Sequence, residues 1–111
     1  MSDVVAPLRV RVHSVTWEAE GIFSYELRDP AGGQLPPFTA GSHIDLNLPT
    51  GLVRSYSLTN PQDERHRYVV AVQKDRGSRG GSSWVHDKLR TGDIITISAP
   101  RNNFPLAEDA Q

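Results

Sequence analysis

The stretch Leu8-Arg9-Val10-Arg11-Val12-His13 alternates apolar and polar side chains without exception. Successive side chains of a β-strand point to opposite faces, so Leu8, Val10 and Val12 would share one face. A helix would instead repeat its apolar residues three and four positions apart. The stretch therefore predicts a β-strand that is buried on one face only.

Five further stretches have the alternation or the composition of short strands. Turn-forming pairs such as Asp29-Pro30 and Asn60-Pro61 separate them. Short strands with turns about 8–12 residues apart are typical of an all-β barrel. We expect a small, six-stranded antiparallel barrel, whose other strands lie at 22–27, 43–48, 53–58, 68–72 and 93–98.

One short α-helix is expected near residues 82–90. Ser82 or Ser83 can cap the free N–H groups of its first turn. Val85 and Leu89 are four positions apart, which places them on one face of a helix. The helix is therefore expected to pack this face on the barrel.

Composition bounds the class of protein. The chain has 111 residues, a net charge of −1 and no cysteine. This length fits one domain, and the near-zero charge disfavours a general nucleic-acid binder. No apolar run approaches the ~20 residues of a membrane helix, and the N-terminus lacks a signal-peptide pattern. We expect a cytoplasmic protein without disulfides, thiolate metal sites or an iron–sulfur cluster of its own.

The glycine-rich, basic segment 76–83 is the first candidate site. Glycines allow the backbone to approach a ligand, and the following helix presents its positive end to the same point. Arg76 and Arg79 add charge, and the two serines before Trp84 add hydroxyl donors. The segment lacks the Walker A and GxGxxG spacings. It predicts a phosphate cradle, with a flexible loop before a capped helix as the alternative.

The strand Arg54-Ser55-Tyr56-Ser57 is the second candidate. Arg54 and Tyr56 would share one face, and the two serines the other. A cation beside an aromatic ring suits a planar ligand that also carries an anion. The alternative is an ordinary barrel strand with a solvated arginine and a packed tyrosine.

The remaining polar residues give no catalytic signal. The four histidines form no HxH or HExxH pair, so we expect them to be solvated or hydrogen-bonded rather than metal ligands. The charged run at 63–67 is expected to be a solvated loop. No Ser–His–Asp or paired-carboxylate pattern is evident.

Read together, these motifs resemble the flavin-binding barrel of ferredoxin reductase-like proteins. The match consists of RSYSLTN at 54–60, SRGGS at 78–82, GD at 92–93 and PRNNFPL at 100–106. This set is similar to the branch that contains phthalate dioxygenase reductase and vanillate O-demethylase reductase. The resemblance covers nearly the whole chain. Each motif is a weak signal alone, but the four in this order and at this spacing are a specific one.

The resemblance implies a Greek-key barrel that holds FMN, with FAD less favoured because SRGGS is typical of the FMN-using branch. Arg54 would pair with the phosphate, Tyr56 would pack on the isoalloxazine ring, and Ser57 would lie near N5. Tyr56 and Ser57 would then be the catalytic residues. The implied cofactor-binding residues are Arg54, Tyr56, Ser57, Leu58, Val72, Lys74, Arg79, Gly80, Gly81, Ser82 and Ser83.

The family also implies partners that this chain does not contain. Its reductases, flavin-dependent oxidoreductases, continue into an NAD(P)H-binding domain and a [2Fe–2S] domain, and they serve a Rieske-type oxygenase. The resemblance therefore divides the chain into a flavin domain at 1–106 and the start of a linker at 107–111, as in a fragment. The alternative is a non-enzymatic OB-like or SH3-like binding barrel, which the 7% aromatic content disfavours.

Overall fold

The computed structural model describes residues 7–74 and 81–102, with the backbone alone at 81–83. All six expected strands and the expected helix are present in this part of the chain. In chain order they are β1 (Leu8–Ala19), β2 (Ile22–Arg28), β3 (His43–Asn47), β4 (Val53–Ser57), β5 (Tyr68–Gln73), α1 (Gly81–Lys88) and β6 (Ile94–Ile97).

β1 is longer than its alternating sequence predicts. It continues to Ala19 and pairs with β2 along this extension, for example Val15 with Tyr25. The pairing shifts register between Val12 and Ser14. Such an irregularity changes which side chains face inward, so strict alternation ends there while the strand continues. The expected end at His13 was therefore too early.

The strands form one antiparallel sheet in the order β4-β3-β6-β1-β2-β5. The sheet curls until its two edge strands meet at a single bridge between Leu58 and Val70. There the Thr59 N–H donates to the Val69 carbonyl at 2.8 Å. Because β6 returns to lie between β1 and β3, the topology is of the Greek-key type. The expected barrel class is confirmed.

The core lies inside the curled sheet. Along β5, Tyr68, Val70 and Val72 are buried while the residues between them are half-buried or exposed, so the alternation follows the sequence. Val85 of α1 and Leu89, the residue directly after α1, join the same core, as their spacing predicts. The core residues contributed by the strands and loops are Val10, Val12, Tyr25, Leu27, Leu35, Phe38, Ile44, Leu46, Leu48, Leu58, Tyr68, Val70, Val72, Ile95 and Ile97.

A polar contact fixes the chain after β6. Arg101 pairs with His43 through backbone hydrogen bonds of 2.8 and 2.9 Å. Its guanidinium donates twice to the Asp45 carboxylate, at 2.8 and 3.0 Å, and the Ser55 hydroxyl donates to the same carboxylate. Burial raises the pKa of Asp45, but the hydrogen bonds from Ser55 and Arg101 outweigh it and hold this pKa below its usual value.

This ion pair gives a pH-dependent prediction. Because the folded-state pKa of Asp45 is lowered, its stabilising contribution is complete above the unfolded pKa of about 3.9 and is lost as pH falls through the folded pKa. We expect Asp45→Asn to lower the free energy of unfolding at pH 7 by up to about 1 kcal/mol. Urea unfolding at pH 7 and pH 2.5 measures the difference, which should shrink at the lower pH. The control Asp63→Asn changes an exposed carboxylate and should have little effect. An equal loss at both pH values would contradict the assignment.

Candidate functional site

α1 packs against β5 and β4, the two edge strands of the sheet. These strands are joined directly at the Leu58–Val70 bridge, and α1 contacts both of them. We call this region the seam, and it consists of β4, the end of β5 and α1. The topology thus brings both candidate segments of the sequence to one place.

Arg54 and Tyr56 lie side by side on the half-buried face of β4. Their strand partners are the buried residues Leu46 and Ile44, so the pair shares the face that turns toward the core. The Arg54 guanidinium donates to the Val53 carbonyl at 2.9 Å. Among the side chains that the structure describes, no carboxylate forms an ion pair with it. The predicted juxtaposition of a cation and an aromatic ring is confirmed.

The tyrosine ring itself is partly withdrawn from solvent. Burial raises the pKa of Tyr56, and the nearby Arg54 charge opposes this rise in part. The phenol of Tyr56 is therefore neutral at physiological pH. A neutral, half-buried ring can offer a flat face to an aromatic ligand.

Ser57 and Leu58 occupy different environments from Tyr56. Ser57 is exposed on the opposite face of β4, as strand alternation requires. Leu58 is buried in the core, and its N–H donates to the Ser42 carbonyl at 2.9 Å. The structure thus brings Arg54 and Tyr56 together and separates the Ser57 side chain from them.

Tyr25 connects β2 to the helix. Its hydroxyl donates to the Val85 carbonyl at 3.1 Å inside the core. Burial raises the pKa of Tyr25 to about 12, with a smaller contribution from the neighbouring Tyr56. This hydroxyl therefore remains a donor at all physiological pH values. It fixes the middle of α1 close to the half-buried ring on β4.

His86 is a residue of the seam that the sequence analysis did not single out. It is 9% exposed, and its Nε2 atom lies 2.7 Å from the Val72 carbonyl oxygen. Its ring stacks on Phe23, with centroids 4.5 Å apart and planes 8° apart. His86 is therefore hydrogen-bonded, which is one of the two environments expected for the histidines. Its position three residues before Leu89 was the available signal, since that spacing shares a helix face.

Lys74 and Val72 contribute to the seam through β5. The Val72 side chain is fully buried, so its carbonyl is the group that reaches the helix. The Lys74 N–H donates to the Gly21 carbonyl at 2.8 Å. The Lys74 ammonium forms an exposed ion pair with Asp87 at 3.2 Å. Its charge is therefore already partnered by the helix.

The phosphate-loop prediction lies mostly beyond the described residues. Arg79 and Gly80 are outside them, as are the side chains of Ser82 and Ser83. The backbone shows that α1 begins at Gly81 and carries no acidic residue in its first turn. Its positive end is thus not compensated by a nearby carboxylate of that turn. The helix ends at Lys88, slightly before the expected residue 90.

The described residues contain neither a cluster of metal-ligating side chains nor a membrane-spanning helix. No three or more histidine, aspartate or glutamate side chains there are grouped so that they could hold a metal ion. No helix in that part of the chain has the length and apolarity needed to cross a bilayer.

Comparison with solved structures defines the class of fold. Phthalate dioxygenase reductase, described as a modular structure for electron transfer from pyridine nucleotides to [2Fe–2S], matches with a TM-score of 0.87. The two sequences are 45% identical, and the match covers 90% of this chain and 31% of that one. The seam and its barrel therefore have the fold of the ferredoxin reductase-like proteins.

Within that class, the chain is homologous to the phthalate dioxygenase and vanillate O-demethylase reductases, the branch that its motifs resemble. Vanillate O-demethylase oxidoreductase of Pseudomonas putida is 52% identical over 94 residues, covering 85% of this chain and 30% of its own length. Tetrachlorobenzoquinone reductase of Sphingobium chlorophenolicum is 51% identical over 110 residues, which covers 99% of this chain and 34% of the reductase. The chain thus spans about one third of these relatives.

No family model matches the chain. The relatives are nevertheless oxidoreductases by name, and the solved structure shares both the fold and nearly half of the aligned residues. The alternative of an OB-like or SH3-like binding barrel is therefore not supported.

Proposed function

We propose that this chain is the flavin-binding domain of an NAD(P)H-dependent reductase. In the proposal it binds FMN, and electrons pass on to a [2Fe–2S] centre and then to a Rieske-type oxygenase. The observation that carries the proposal is the pairing of Arg54 with Tyr56 on β4, beside a helix that begins at Gly81. A barrel homologous to reductases surrounds this pairing.

The described residues fit the chemistry of such a ligand. FMN combines a flat aromatic ring with a phosphate, so its site needs an aromatic surface and a cationic group. Tyr56 offers a half-buried ring, and Arg54 offers a guanidinium without a carboxylate partner among the described side chains. Arginine donates in a planar fork that suits a phosphate.

The other proposed contacts follow the resemblance residue by residue. We assign the phosphate to Arg54 and to the backbone and hydroxyl donors of segment 79–83. We assign the ring edges to the ends of the two edge strands, at Ser57, Leu58, Val72 and Lys74. Because Leu58 and Val72 are buried, they would contribute backbone atoms and core support. Because the Lys74 ammonium already pairs with Asp87, its backbone is the better candidate.

In the proposed site, the flavin and the protein residues have different roles. A flavin held here would supply the electron transfer between a nicotinamide and an iron–sulfur centre, and that chemistry would belong to the cofactor. The chain supplies position and electrostatics. Arg54 balances the phosphate charge, and Tyr56 covers one ring face and excludes water from it. Because the Ser57 side chain is exposed on the opposite face of β4, Ser57 would contribute its backbone at the end of the strand.

The remaining parts of the proposal concern groups outside this chain. The chain has no cysteine, so the [2Fe–2S] centre would be held by another domain. The nicotinamide site would likewise lie elsewhere, since the relatives are about three times as long. We retain 1–106 as the flavin domain, 107–111 as the start of a linker, and a cytoplasmic location as parts of this proposal.

Titration with FMN and with FAD tests the proposal directly. We expect saturable FMN binding, seen as a change in flavin fluorescence and in the near-450 nm absorption band, and weaker binding of FAD. Tighter binding of FAD would keep the flavin site and overturn the choice of cofactor. Binding of neither flavin by the folded chain, checked by circular dichroism, would contradict the proposal.

A further inference from the structure

We propose that His86 is a positioning residue of the flavin site. It holds α1 against the end of β5, so that the start of the helix and the end of the strand face one ligand in a fixed relation. The inference rests on the proposed function, because the relation matters only if both elements contact the same molecule.

Two contacts of different geometry restrain the His86 ring. The Val72 carbonyl can only accept a hydrogen bond, so the proton in the 2.7 Å contact is on His86 Nε2. This bond sets the distance between α1 and β5. The parallel stack on Phe23, at 4.5 Å, sets the plane of the ring. Together they restrain how far the helix can slide or tilt over the strand.

His86 lies close to both the start of α1 and the end of β5, so its contacts affect the relative position of the two. His86 is five positions after Gly81, a rise of about 7.5 Å at 1.5 Å per residue. Val72 is two positions before Lys74, which directly follows β5, a distance of about 7 Å along the extended chain. Because both elements are regular, a displacement at His86 is passed to the helix start and to the strand end together.

The other described contacts of α1 restrain it differently. Tyr25 fixes the helix to β2 through the Val85 carbonyl, and it does not touch β5 by that bond. The Lys74–Asp87 pair does join β5 to α1, but both side chains are exposed, at 43% and 55%. Exposed ion pairs restrain geometry weakly. The buried bond from His86 is therefore the stronger described link between the two elements.

A comparison of two flavins separates positioning from simple stabilisation. FMN would use the ring edge and the phosphate site, whereas riboflavin has the same ring and no phosphate. A variant that only reduced the folded fraction would weaken both ligands by the same factor. A variant that displaced the helix start from the strand end would weaken FMN more than riboflavin.

The experiment measures the Kd of FMN and of riboflavin for the wild type, His86→Gln and His86→Phe. His86→Phe keeps an aromatic ring and removes the donor, and we expect the preference for FMN to fall about 5- to 10-fold, the range of one lost hydrogen bond. His86→Gln retains an N–H donor and should restore part of the preference. His13→Gln, at an exposed histidine of β1, is the control and should leave it unchanged.

The outcomes distinguish this inference from the function on which it rests. A wild type that binds no FMN overturns the proposed function. A wild type that prefers FMN, with the same preference in both folded His86 variants, overturns the positioning role alone. If His86→Phe does not fold, Phe23→Leu decides, because it removes the ring on which His86 stacks. An unchanged preference for FMN in that variant also refutes the role.

Discussion

Replacement of Arg54 by alanine is expected to weaken FMN binding by about 10- to 100-fold, since charge-assisted hydrogen bonds contribute about 1.5–3 kcal/mol. Arg54 is a half-buried residue of β4, and among the described side chains no carboxylate forms an ion pair with its guanidinium. Its charge is thus available to an anionic ligand. Fluorescence titration of the purified variant measures the change in Kd.

Two further variants define the role of this arginine. Arg54→Lys keeps the charge and loses the planar fork, so we expect its Kd for FMN to lie between those of the wild type and the alanine variant. Arg9→Ala removes an exposed arginine of β1 and should leave the Kd unchanged. An unchanged Kd in Arg54→Ala would mean that the phosphate lies elsewhere.

Truncation of Leu46 to alanine is expected to lower the free energy of unfolding by about 2–5 kcal/mol. Leu46 is 1% exposed, and it faces Ile97 on one side and Arg54 on the other. Removal of its side chain leaves a cavity beside β4 and also reduces the apolar surface that is buried on folding. Since whole domains are stable by about 5–15 kcal/mol, the loss is a large share of the total. Urea unfolding followed by circular dichroism measures it.

Val53→Ala is the matched control for this truncation. Val53 lies on the same sheet, next to Arg54, and is 51% exposed. Its truncation should change the free energy of unfolding by no more than about 0.5 kcal/mol. Equal losses in the two variants would show that the inward face of β3 is not the barrel core.

The strands were predictable because each is buried on one face. A half-buried strand must alternate, and Tyr68, Val70 and Val72 on β5 do so in sequence and in structure. The same logic identified Arg54 and Tyr56 as neighbours on one face of β4. Where the strand becomes irregular, as between Val12 and Ser14 on β1, the pattern loses its phase and the prediction stopped short.

The charged loop makes contacts that the sequence did not predict. Residues 63–67 form a loop in which no residue is buried, as expected. Within it, Arg67 forms ion pairs with Glu64 and with Glu26 on β2, at 2.9 and 3.2 Å. Arg65 donates to the Leu35 carbonyl at 3.3 Å. Glu64 is only three residues before Arg67, but Glu26 and Leu35 are distant in sequence from their partners, so no local pattern could have paired them. The Arg67–Glu26 pair depends on β2 and β5 being neighbours in the sheet.

The sequence by itself determined the elements of this protein and the chemistry of its candidate site. Alternation specified the strands, the spacing of Val85 and Leu89 specified the helix, and the types of Arg54 and Tyr56 specified a cation beside a ring. These features are local, because side-chain direction repeats along each element regardless of what packs against it. The tertiary structure alone decided that α1 lies between β4 and β5, and that His86 joins the helix to Val72. Those contacts depend on strand order and on the closure of the sheet, which arise from packing between segments far apart in the chain.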